Sequence, residues 1–188
     1  MGAIIAEAPA APVPLAEVKA FLRIGPSEED ALLAGLVRAA ADTCEAFTGR
    51  ALLMRGVEEM LPASRAWTRL GTAPVAAIEA VALVGADGAA TPLAAGDYAI
   101  DIDAAGEGWV RLLLGIEPKR IRVSYHAGMA AHANGLPEAL RHGIIRLAAH
   151  LYTHRDRPDP GSGSGAGAAG PPAAVTALWR PWRRLRLS

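Results

Sequence analysis

Apolar positions recur along this chain with two different periods, and the change between them divides it. Leu32, Leu33, Leu36, Val37, Ala40, Cys44 and Phe47 return at helical spacing, the broad apolar stripe of a long helix expected over residues 27–49. Ser27 is placed to cap its start, because a hydroxyl there can accept a bond from one of the first unpaired amides. Asp30 follows three residues later, as in a capping box. Glu28, Glu29 and Asp30 lie where the positive end of the helix dipole favours acid, and Gly49 supplies a left-handed stop. A stripe of that length has to be covered. A second long helix over 137–155, opened by Pro137, can cover it with Leu140, Ile144, Leu147, Ala148, Leu151 and Tyr152; Arg141, His142, Arg146 and His150 fall elsewhere. A shorter helix over 14–24 precedes both. It places Leu15, Val18, Phe21 and Leu22 on one face and is broken by Gly25 and Pro26.

Between the long helices the period falls to two. Tyr98, Ile100 and Ile102 alternate with Ala99, Asp101 and Asp103, which predicts a half-buried strand. Ile121, Val123 and Tyr125 alternate with Arg122, Ser124 and His126 in the same way. Val75 to Val84 is nearly all apolar and runs into a turn at Asp87 and Gly88, so a strand and hairpin are expected there. Further strands are expected over 51–61 and 109–114. The pattern describes an α+β fold: two long packed helices plus a short N-terminal helix, with a small antiparallel β-sheet (about 51–126) inserted between them and an extended C-terminal tail.

The ends read differently from this body of residues 14–157. Residues 1–13 have no basic start and contain several prolines, so they are expected to form an ordered or semi-extended arm rather than a signal peptide. Ala6 also breaks the myristoylation pattern. Residues 158–174 are rich in Gly, Ala, Ser and Pro, and such a stretch buries too little apolar surface to order itself. That makes it a tether for residues 175–188.

Composition narrows the chemistry. Cys44 is the sole cysteine, which excludes an internal disulfide, and its place on the apolar stripe suits a buried structural thiol. No apolar run approaches the roughly 20 residues of a membrane span, so no membrane is expected as a partner. Residues 1–107 hold 7 Lys+Arg against 15 Asp+Glu, and residues 108–188 hold 12 against 4. A chain with an acidic and a basic half could attract copies of itself head to tail, unless folding interleaves the halves and cancels the polarity.

Several stretches imitate catalytic or ligand motifs. Gly165 to Gly170 fits a dinucleotide fingerprint by letter, but it follows no strand and runs into Pro171 and Pro172. Asp101, Asp103 and Gly106 suggest a calcium loop, yet Ala105 holds a ligand position and no closing Glu sits at the right distance. His150 and His154 lie one helical turn apart without a third metal ligand. His126 and His132 have no nucleophile at motif spacing, and nothing assembles a nucleophile, a base and an oxyanion site. The expectation is no enzyme, no cofactor and no metal.

The C-terminal tail is the exception. Trp179, Arg180, Trp182, Arg183, Arg184, Leu185, Arg186 and Leu187 crowd into a few residues, and Trp and Arg are the side chains best able to supply interface energy. Three readings are open: the tail folds back on its own domain, it contacts nucleic acid through arginines on phosphates and indoles on bases, or it docks into a partner protein. Docking is preferred. The alternative function, a nucleic-acid-binding accessory protein, would show steep salt dependence.

These residues resemble a known family, the head–tail connector (adaptor) proteins of long-tailed double-stranded-DNA phages and gene transfer agents. The likeness lies in Leu15 to Arg23, Glu29 to Leu33 and Ala46 to Arg50; in Ala73 to Val75 with Ile78, Val81, Asp97 and Tyr98; and in Val123 to Gly128, Leu136 to Leu140, Ala148 to Tyr152 and Arg155. It covers about residues 14–157. The resemblance implies a non-enzymatic, homo-oligomeric ring, of twelve subunits, beneath the portal protein. DNA would pass through its channel without sequence-specific binding, and an adjacent neck, stopper or tail protein would sit below. It implies a place in the neck of a virion or gene-transfer-agent particle assembled in the bacterial cytoplasm. By position rather than by a matched motif, it assigns portal binding to Trp179, Arg180, Trp182, Arg183, Arg184, Leu185 and Arg186.

Overall fold

The two periods of the sequence separate into two compact units in the computed structural model, which describes residues 3–5, 11–25, 29–114, 120–154 and 170–184. Met1–Ala10 and Arg50–His132 form a sheet unit; Ala11–Gly49 and Ala133–Ser188 form a helical unit.

The sheet unit contains β1 (Ala3–Ile5), β2 (Arg55–Pro62), β3 (Thr68–Arg69), β4 (Val75–Val84), β5 (Ala90–Pro92), β6 (Tyr98–Ile102), β7 (Gly108–Leu112) and β8 (Arg120–Ala127). They make two antiparallel sheets rather than one, ordered β1-β2-β8-β4-β5 and β3-β7-β6. Part of the N-terminal arm is a strand, with Ile4 opposite Glu58 of β2. β8 is central and keeps the expected alternation: Ile121, Val123 and Tyr125 are buried while Arg122, Ser124 and His126 are half-buried. The core joins these residues to Val57, Leu61 and Val81, and to Leu70, Val110 and Leu112 around the smaller sheet. The β4–β5 turn closes with Asp87 Oδ1 accepting the Ala89 amide at 3.0 Å and Gly88 at φ 83°.

Strand β6 departs from expectation. Ile100 and Ile102, expected on a half-buried face, are 43% and 38% exposed. Ile100 stands opposite Val110, which is fully buried, so it shares the core-side face. Among the described residues β6 pairs only with β7, and the core ends beneath that inner strand.

The helical unit contains α1 (Leu15–Leu22), α2 (Asp30–Thr48), α3 (Glu138–Thr153) and α4 (Ala173–Trp179). α2 packs most extensively on α3, burying Leu33, Val37, Ala40, Ala41 and Cys44. The apolar stripe read from the sequence is wider than the surface α3 covers, and Leu32 at its margin is 44% exposed. Phe21 on α1 is 50% exposed although Val18 beside it is fully buried. Left-handed residues end both N-terminal helices, Arg23 at φ 56° and Gly49 at φ 69°. α2 begins after Glu29, whose carbonyl accepts the Leu33 amide at 2.9 Å and whose side chain makes no cap bond; the expected cap Ser27 lies outside the described residues. The same holds for residues 155–169, which include most of the tether 158–174.

The fold corrects one expectation and decides between two open readings. Among the described C-terminal residues the chain is not an extended tail: α4 and a 3-10 turn at Arg180–Trp182 belong to the helical unit, with Val175 and Trp179 buried in it. Nor does the charge polarity of the two sequence halves survive. The sheet unit holds 8 Lys+Arg against 10 Asp+Glu and the helical unit 11 against 9, because each unit is built from both halves.

Candidate functional site

The tail residues are organised by a glycine in the middle of α3. Gly143 leaves a notch on the helix surface, and the Trp179 indole fills it so closely that a Cβ at 143 would lie 2.1 Å from Nε1. Trp179 is fully buried. Its Nε1–H donates to the Leu140 carbonyl at 3.4 Å, and its ring lies 5.9 Å from that of Phe47 on α2. The chain then turns back over the end of α2. Arg183 sets its guanidinium over Phe47 at 5.6 Å, and the Arg184 N–H donates to the Thr48 carbonyl at 2.7 Å. That bond satisfies a carbonyl the helix terminus leaves without an intrahelical partner. Gly49 admits the crossing, since a Cβ there would meet Arg184 Cβ at 3.4 Å.

The seven residues assigned to a partner therefore divide. Trp179 and Arg184 face inward and are buried in their own subunit, at the notch and at the end of α2. Arg180 and Arg183 are exposed and Trp182 is half-buried. Leu185 and Arg186 lie outside the described residues. What the strap 170–184 presents outward is a small cationic surface that can take carboxylates or other anions. Sequence reasoning missed Gly143. Its signal was present, for a glycine inside a helix costs about 1 kcal/mol relative to alanine and calls for a packing reason.

A second device pins the smaller sheet. Glu59, only 7% exposed, accepts the Gly71 amide and the Tyr125 hydroxyl, both at 2.9 Å, and Tyr125 Oη in turn accepts the Thr72 amide at 3.2 Å. Burial pushes the Tyr125 phenol up to about 12.

The remaining candidates do not converge. Cys44 is fully buried, and burial followed by the Glu45 charge pushes its thiol up to about 12, so the thiolate needed for nucleophilic work is scarce at neutral pH. Asp103 Oδ1 accepts the Ala105 and Glu107 amides at 2.8 and 2.9 Å and so closes a turn. His126 pairs through Nδ1 with Glu79 at 3.1 Å. His132 is exposed. The rings of His150 and His154 lie 4.1 Å apart; burial, then the neighbouring His154, lowers the His150 pKa. Among the described residues no three His, Cys, Asp or Glu side chains gather as a metal site. The glycine-rich fingerprint lies outside them apart from Gly170.

Comparison with known proteins gives a consistent result. Residues 13–82 match the phage gp6-like head-tail connector protein family. A chain in the neck of an empty GTA particle, computed with C6 symmetry, is 32% identical with a TM-score of 0.79, covering 100% of this chain and 98% of that one. A chain in the virion of a native gene transfer agent (GTA) particle is also 32% identical, with a TM-score of 0.75 and the same coverage. In the neck of a native GTA particle computed with C12 symmetry, a chain 32% identical gives a TM-score of 0.72 over 98% of this chain and 97% of that one. No curated protein matches the sequence.

Proposed function

Because the chain belongs to the phage gp6-like head–tail connector family, we propose that it is a structural subunit of a particle neck. Twelve copies form a ring that joins the portal protein to the next neck or tail component, and DNA passes through the channel. The observation that carries this reading is the full-length likeness to neck chains of GTA particles at 32% identity. The role is that of a spacer and joint, not a catalyst.

The strap supplies the grip on the portal through its outward residues Arg180, Trp182 and Arg183, continued by Leu185 and Arg186. Trp179 and Arg184 hold the strap to its own subunit, so the gripping surface is partly pre-organised and less ordering is charged to docking. Ring geometry multiplies a modest contact, since copies bound side by side engage the portal with avidity.

Electron microscopy of the chain mixed with its portal protein tests the proposal. The expected image is a twelvefold ring on one end of the portal. Absence of any complex, with both proteins folded, overturns it.

A further inference from the structure

The end of α3 carries two of the chain's five histidines, His150 and His154, one helical turn apart and both exposed. Their rings lie 4.1 Å apart at an interplanar angle of 33°, so the two imidazoles share one patch of surface. Their nitrogens are not equivalent. His154 Nδ1 lies 2.9 Å from the His150 carbonyl oxygen. That oxygen can only accept, so Nδ1 carries the proton and the neutral ring keeps its lone pair on Nε2. A bond of this kind to a backbone carbonyl is the outer contact that fixes the tautomer of a metal-ligating histidine. Among the described residues neither ring nitrogen of His150 has a hydrogen-bond partner, and burial followed by the neighbouring His154 lowers its pKa and favours the neutral ring.

The position on the helix contributes as well. α3 ends at Thr153, and a helix C-terminus carries partial negative charge that favours a cation. Arg146, one turn before His150, opposes a cation there, but it is exposed and its long flexible chain can carry the guanidinium away. No third His, Cys, Asp or Glu joins the pair among the described residues, so water would complete the coordination.

We infer that His150 and His154 form a two-imidazole site for a divalent first-row transition ion, bound through one nitrogen of each ring. This departs from the expectation of no metal, and it stands apart from the ring reading. Imidazole suits Zn²⁺, Ni²⁺ and Cu²⁺, whereas Mg²⁺ and Ca²⁺ take oxygen. Two histidines one turn apart on one helix face are also how helical zinc sites present their ligands. An ion held by both rings ties residues a turn apart and keeps the end of α3 from fraying.

Titration of the full, untagged chain with Cu²⁺, Zn²⁺ and Mg²⁺ tests the site, by calorimetry for all three and electron paramagnetic resonance for Cu²⁺. The expected result is one tight Cu²⁺ or Zn²⁺ per chain, two imidazole nitrogens on the copper, and no uptake of Mg²⁺. Loss of an outer contact already costs about 10–100-fold in affinity, so His150→Asn or His154→Asn should cost at least as much. His132→Asn and His142→Asn should leave the affinity unchanged. Absence of binding, affinity unchanged in both ligand variants, or an equal loss in His142→Asn overturns the site. Mg²⁺ bound as tightly as Zn²⁺ overturns it too. A wild-type readout guards against variants that unfold: Zn²⁺ should protect His150 and His154 from diethylpyrocarbonate while His132 and His142 still react. Equal labelling of His150 and His154 with and without Zn²⁺ overturns the inference.

Discussion

The Trp179 indole occupies the volume that a side chain on Gly143 would need, with a Cβ there placed 2.1 Å from Nε1. The strap and the long helix are thus complementary at one residue each. The Leu140 carbonyl and the Phe47 ring complete the pocket.

Gly143→Ala sets two effects against each other. Helix propensity favours alanine by about 1 kcal/mol, while one extra methyl in a filled core costs about 1–3 kcal/mol. With the indole nitrogen far inside van der Waals contact of the new carbon, the clash wins. The expected result is faster hydrogen exchange and proteolysis in residues 170–184, with α2 and α3 unchanged. Unaltered protection of α4 would refute the notch.

Trp179→Ala should cost about 3–5 kcal/mol through the cavity it leaves, seen in thermal or urea unfolding. Arg180→Ala combined with Arg183→Ala should cost less than about 1 kcal/mol, as both are exposed and one cation–π contact is lost, yet co-sedimentation with the portal should fall. Deleting 175–188 is expected to lose attachment and stability together, because it uncovers Phe47 and the Gly143 notch. Portal binding unchanged in the arginine double variant would remove the outward surface from the proposal.

Alkaline titration should destabilise the protein in two stages. Cys44 and Tyr125 both have folded pKa values raised to about 12, from 9.0 and 10.0. Below pH 9 both groups are protonated whether folded or not, so neither changes stability with pH. Between 9 and 12 the unfolded chain releases its protons first, and stability falls by up to about 1.4 kcal/mol per pH unit for each group. Urea unfolding from pH 8 to 11 should show the fall beginning near 9 and steepening near 10; Cys44→Ala should remove the first stage. Iodoacetamide should label Cys44 only on unfolding.

Arg141 ties α1 to α3. Its Nη2 donates to both Glu17 oxygens at 2.6 and 2.8 Å and its Nη1 to Glu138 at 2.6 Å. The arginine side chain is 10% exposed and Glu138 is 82% exposed. Arg141→Ala should therefore cost about 2–3 kcal/mol, and Glu138→Gln under about 0.5 kcal/mol, since an exposed partner contributes little. Chemical denaturation of the two variants checks the contrast, and equal losses would contradict it.

Much of the secondary structure was legible before the tertiary contacts. Alternation in 120–127 and helical spacing in α2 and α3 gave elements close to those observed, and the Asp87–Gly88 turn lies where its residue types require. The errors have a common cause. Ile100, Ile102, Leu32 and Phe21 are apolar by pattern but are left largely exposed by the described elements, and pattern alone cannot report coverage. Arg141 errs the other way: a charged residue is buried because Glu17, far back in the chain, reaches it.

In the body of the chain, element types and turns were determined by the sequence alone, since periodicity and turn chemistry are properties of neighbouring residues. So was the presence of an unusual Trp/Arg cluster. Which of its members face outward was decided only in three dimensions. Burial of Trp179 depends on a missing side chain at Gly143, and the anchoring of Arg184 on a free carbonyl at Thr48. Both are distant in sequence, and a side chain's environment is set by what packs against it.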